Sequence, residues 1–173
     1  MRLWTHPLYR NLMKFEHLIQ INDPLNPLMD TITRAQLWRG LVLRAEQPTL
    51  FVPHLDECTI GERAAGSLQR RLRYGDLVVE DRVVLDPLNE VRYEVPAQGE
   101  IPASLLVMKI EMPDEHNLLV RFSYDDGHPA SADAASQMYD DFKRSAYQAA
   151  DVDTVRIVRE LAAAGKLDPS PLH

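Results

Sequence analysis

The sequence is poor in the residues that most often announce a chemistry. Its 173 residues include one cysteine, Cys58, which excludes an internal disulfide and a cysteine-built zinc cage. A lone thiol fits a reducing compartment, and a cytoplasmic location is expected. No motif gives Cys58 the low-pKa setting that a reactive thiol needs, so it reads as inert and partly buried. Glycine is scarce, and no glycine-rich loop is spaced to cradle phosphates. His17, His54, His116 and His128 are scattered, with no His-Glu-x-x-His pattern. No metal and no cofactor are therefore expected. Lysine and arginine are outnumbered 19 to 26 by acidic residues, for a net charge of −7. That balance argues against a nucleic-acid partner, because phosphate binding relies on clustered cations. The arginines that do cluster, Arg70, Arg71 and Arg73, have no interleaved aromatics and read as a local patch. No apolar run has the length of a membrane span, and stable membrane insertion is not expected. The opening MRLWTHPLYRNL is expected to be neither a signal peptide nor an anchor.

What is present describes one globular domain. Apolar residues make up 45% and charged residues 26%, an ordinary balance that disfavours disorder. Phe15, His17, Ile19 and Ile21 alternate with Lys14, Glu16 and Gln20, the period of a half-buried strand. Asn26 before Pro27 suggests the start of a first short helix. Thr33 with Gln36 forms a capping box for a second, along which Ala35, Trp38, Leu41, Val42 and Ala45 recur at helical spacing. Gly40 in mid-helix implies close packing, most simply against the sheet. From about 53 to 126, short alternating segments separated by turn signals predict an antiparallel meander of roughly six strands. A loop is expected over 125–129. Residues 131–164 lack glycine and proline and predict one long helix, with Asp133 near its start and Gly165 as its stop.

A sheet with one apolar face must be covered, and only the long helix is large enough to do so. The expected fold is therefore α+β: a curved antiparallel sheet of about seven strands around a long C-terminal helix, with two short helices after the first strand. Residues 1–12 read as an N-terminal extension, 13–167 as the domain and 168–173 as a tail. Trp4, Pro7 and Tyr9 in the extension suit covering a sheet edge or a neighbouring subunit, which leaves a homodimer open.

Four stretches carry a family resemblance: 15–22 (FEHLIQIN), 37–41 (LWRGL) after Thr33 and Arg34, 83–87 (VVLDP) with 91–94 (VRYE), and 154–160 (TVRIVRE). Together they resemble the SRPBCC superfamily of START and birch-allergen-like helix-grip domains, and more narrowly its AtaL-like branch, over about residues 13–167. The resemblance implies an internal hydrophobic ligand cavity. It carries over no reaction and no site residue, because the matching motifs are diffuse rather than catalytic.

Several residues on the inward strand and helix faces are candidate cavity residues. His17 shares a face with Phe15 and Ile19. It suits either a core histidine bonded to a neighbour or an acid–base group. Arg70 interrupts the alternation of Leu68 and Leu72, and Asp81 has the parity to pair with it. Such a pair could orient a ligand carboxylate or carbonyl, or both side chains could face solvent. Trp38, Tyr74, Tyr93, Met108, Phe122, Met138 and Phe142 complete the candidate lining, most of them equally explicable as core. The function expected is binding of a small hydrophobic or aromatic molecule. An enzyme of the polyketide cyclase or aromatase kind, with His17, Tyr93 or Arg70 moving protons, and a protein-interaction module are the alternatives.

Overall fold

The computed structural model describes residues 12–129 and 134–169. The N-terminal extension up to residue 11, Asp133 and the last residues of the tail lie outside the described residues. Strand β1 (Leu12–Asn22) leads to helix α1 (Arg34–Glu46) and a single 3-10 turn at Pro48–Leu50. Six strands follow: β2 (Glu57–Ala64), β3 (Ser67–Tyr74), β4 (Leu77–Asp86), β5 (Glu90–Val95), β6 (Ser104–Asp114) and β7 (Asn117–Pro129). Helix α2 (Ala134–Ala163) closes the chain. The seven strands form one antiparallel sheet in the order β1-β7-β6-β5-β4-β3-β2. The meander thus runs from β2 to β7, and β7 returns to pair with β1.

One short helix stands where two were expected. Residues 23–29 form successive turns, with Asn26 N–H donating to Asp23 O at 3.1 Å and Met29 N–H to Asn26 O at 3.2 Å. Pro24 and Pro27 explain this. Each removes a backbone donor and biases its predecessor away from the helical region, so no helix propagates. The capping box forms as read: Thr33 Oγ1 accepts from Gln36 N at 3.0 Å, and Gln36 Oε1 from Thr33 N at 2.8 Å. The expected loop at 125–129 is instead the end of β7, held by β1 through the Leu12↔Pro129 and Lys14↔Asp125 pairings.

The buried stripe of α1 is Leu37, Gly40, Leu41 and Ala45, rotated toward Leu37 from the face expected. Gly40 meets α2 rather than the sheet. A Cβ built there would lie 2.8 and 2.9 Å from the two γ-methyls of Val158. Val158 is buried and β-branched, so it yields little. Gly40→Ala gains about 1 kcal/mol of helix propensity but overpacks the contact, at about 1–3 kcal/mol. Urea unfolding should show a net loss of about 1 kcal/mol, and Val158→Ala in the same chain should remove the clash term. A more stable Gly40→Ala protein would contradict this packing.

Helix α2 ends as its sequence demands. Gly165 takes φ +72°; its N–H reaches Ala162 O at 3.1 Å and that of Lys166 reaches Leu161 O at 2.9 Å. These are the two bonds of a Schellman motif. The core lies between the sheet's inner face and the two helices, with Ile21, Leu37, Leu41, Val83, Val91, Met108, Val120, Phe122 and Val158 fully or almost fully buried.

Candidate functional site

Strand register assembles the site. Val83, Tyr93, Leu106, Tyr124 and Phe15 are successive cross-strand partners over β4, β5, β6, β7 and β1. One pleat further, Val91, Met108, Phe122 and His17 form a parallel row. Same-face neighbours on adjacent strands pack directly, and the rings follow suit. Phe15 and His17 stack with centroids 5.4 Å apart, and His17 and Phe122 at 5.3 Å. Helix α2 adds Tyr147, which lies on Tyr124 at 4.1 Å and 7° from parallel. Beside these rings is a half-open cavity of about 160 Å³ bordered by Tyr93, Val95, Leu106, Tyr124 and Tyr147, with the acidic Asp125 and Asp126 at its wall.

Beside it lies a buried polar network. Asp151, one helical turn after Tyr147, is 1% exposed. Its Oδ2 meets His17 Nε2 at 2.6 Å, and its Oδ1 accepts from Tyr124 Oη at 2.6 Å. Burial raises the Asp151 pKa, opposed by the bonds from Tyr124 and His17. Burial also raises that of Tyr124, and the Asp151 charge and hydrogen bond add to the effect. The proton is therefore held on the phenol beside a carboxylate that burial makes more basic.

Arg70 and Asp81 face inward, and they face each other. Arg70 Nε and Nη2 donate to the two Asp81 oxygens at 2.9 and 2.6 Å, and Nη1 donates to Ala45 O at 2.9 Å. Burial works against the Arg70 charge, but the Asp81 bonds and charge outweigh it and raise its pKa. This bidentate pair commits every nitrogen of the guanidinium and both Asp81 oxygens, so it has little left to offer a ligand. Its guanidinium carbon lies 5.0 Å from the Tyr93 ring centroid, and that of Arg44 lies at 5.1 Å.

Of the other candidates, Tyr93, Met108 and Phe122 are buried on the inner face, while Trp38 packs against the core and Tyr74 is half-buried. Met138 and Phe142 are 73% and 74% exposed and are not among the residues bordering the cavity. Both side chains lie on the outer side of α2, and helical spacing alone does not reveal it. Tyr147, Asp151 and Arg44 are the site residues that sequence reasoning passed over. Asp151 was findable, since it stands on the helical stripe with Val155 and Val158, where a carboxylate needs a partner.

A larger cavity, about 440 Å³, lies elsewhere, between the 26–32 segment and the C-terminal end of α2. Its guanidinium, Arg159, is spent on the carbonyls of Ile21 and Asp30, and it staples the segment in place. Cys58 is half-buried with its pKa raised by burial, the opposite of an activated thiol. Among the described residues no group of three His, Cys, Asp or Glu side chains is placed to hold a metal ion, and no helix is long and apolar enough to cross a membrane.

A curved antiparallel sheet gripping a long C-terminal helix is the SRPBCC helix-grip fold. The model of one family, described as acetylaranotin biosynthesis cluster protein L (AtaL), matches residues 19–165, and the chain belongs to that family. No curated protein matches it. Among solved structures, the chain is similar to the Zhui aromatase/cyclase from Streptomyces sp. R1128, at 14% identity and a TM-score of 0.58 over 85% of this chain and 91% of that one. It is also similar to the di-domain aromatase/cyclase StfQ of the steffimycin pathway, at 11% identity and TM-score 0.61 over 89% of this chain and 52% of that one. Ara h 8.0201 matches at 15% identity and TM-score 0.57, over 86% and 99%. At such identities the likeness is one of fold.

Proposed function

We propose that the chain binds a small aromatic molecule in the cavity between the sheet and α2. The observation that carries this reading is the wall of three tyrosines, Tyr93, Tyr124 and Tyr147, around about 160 Å³. Ligand sites are typically apolar with a few fixed polar groups, and the stacked Tyr124–Tyr147 pair offers a rigid aromatic wall. Size sets the class. A cavity of about 150 Å³ is enough for benzene, so the space takes one ring. Calorimetric titration should give saturable binding of toluene. Absence of toluene binding would overturn the reading.

A second reading rests on the His17–Asp151–Tyr124 network. A buried carboxylate with a raised pKa between a histidine and a cavity tyrosine is suited to proton transfer, which would make the site that of a cyclase- or aromatase-like enzyme. Binding of a ring is common to both readings.

A further inference from the structure

The hydroxyls of the three wall tyrosines differ in how they are served. Tyr124 Oη donates to Asp151 Oδ1 at 2.6 Å, and Tyr147 is half-buried. Tyr93 is 5% exposed and borders the cavity, and its hydroxyl is buried without a hydrogen-bond partner. The guanidinium carbons of Arg44 and Arg70 lie 5.1 and 5.0 Å from the centroid of its ring. Neither can help, because a guanidinium has no acceptor for the phenolic proton. The cross-strand neighbours of Tyr93, Val83 and Leu106, are apolar. A buried hydroxyl left unpaired is costly, and in a native structure it calls for an explanation. The cavity beside the ring is where an acceptor can arrive. Both charged residues that border it are acidic, Asp125 and Asp126, whereas Lys143, which pairs with Asp126, is not among the bordering residues. Carboxylates at the wall repel an anion, so the acceptor that suits the site is neutral.

We infer that the Tyr93 hydroxyl anchors a carbonyl oxygen of the bound molecule, so that the ligand class is a neutral, single-ring aromatic carbonyl compound. The inference rests on the binding reading above and adds the acceptor. The ligand ring packs among Tyr93, Leu106, Tyr124 and Tyr147, and its carbonyl accepts the hydrogen bond that no described protein group accepts. A site with a buried polar group rejects an analogue that lacks the matching group, because the protein atom is then left unpaired. Tyr93 thereby sets specificity, while the aromatic wall supplies the burial.

Titration of the full chain with acetophenone, its isostere α-methylstyrene, in which a methylene replaces the carbonyl oxygen, and toluene separates the two claims. The ratio of acetophenone to α-methylstyrene affinity should fall at least about tenfold in Tyr93→Phe, the loss expected when a buried carbonyl is stripped of its donor. The urea midpoint of ligand-free Tyr93→Phe should not fall, since the deleted hydroxyl has no partner there. In the infrared, the carbonyl stretch of bound acetophenone should lie at lower wavenumber in the wild type than in Tyr93→Phe, which a merely structural role for the hydroxyl would not produce. An unchanged ratio, an identical stretch in the two proteins, or a lowered midpoint overturns the carbonyl anchor while leaving the aromatic cavity standing. So does binding of toluene without binding of acetophenone. Failure of all three to bind overturns both.

Discussion

Arg70→Met is expected to lower the unfolding free energy by about 3–5 kcal/mol, because it leaves the Asp81 charge buried and unpaired. Both side chains are only 4% exposed, so water cannot take over the lost bonds. Ala45 O, at the end of α1, loses its donor as well. The pair nonetheless need not stabilise the fold relative to apolar residues. The cost of desolvating two charges roughly cancels their attraction, so Arg70→Met with Asp81→Leu should come within about 1 kcal/mol of the wild type or exceed it. Urea unfolding of the two single variants and the double variant measures the coupling directly. If Arg70→Met alone is benign, the pair is not buried as described.

Asp151→Ala should cost about 2–4 kcal/mol, since it strands the partly buried His17 and Tyr124 polar atoms without their shared acceptor. Tyr124→Phe removes one of two bonds to the carboxylate and should cost about 1–2 kcal/mol. The carboxylate also sets a pH dependence. Burial raises its folded pKa above an unfolded value of about 3.9, so the folded state binds the proton more tightly. Its contribution is most favourable below the unfolded pKa, falls as pH rises toward the raised folded value, and is flat beyond it. Asp151→Asn lacks this slope. Unfolding free energies of the two proteins, taken from about pH 4 upward, should converge or cross in the variant's favour as pH rises. A difference independent of pH would mean that Asp151 titrates normally.

The patterns that depend on local spacing were readable before the structure. The alternation 15–21, the Thr33–Gln36 box, the meander and the Gly165 stop each report a short-range rule, and together they define the sheet and its covering helix. The Arg70–Asp81 pairing was half legible. Parity on adjacent strands put the two side chains on one face, but only the register Arg70↔Asp81 made them neighbours and only α1 above them kept water out. What escaped was tertiary. Which face of α2 turns inward depends on where the helix crosses the sheet, so helical spacing points to Met138 and Phe142 as lining and passes over Asp151. Arg44 was hidden for a similar reason. It lies three residues after Leu41 on the inner side of α1, but the amphipathic reading placed that face one residue away.

The central claim is that a single aromatic ring occupies the space under Tyr124 and Tyr147. Solution NMR of the chain saturated with toluene tests it most directly, through intermolecular nuclear Overhauser effects. Contacts from the ligand methyl and ring to Tyr93, Leu106, Tyr124 and Tyr147 are the predicted result. Saturable binding with contacts confined to the larger cavity at Leu28, Met29 and Ala162 would contradict it.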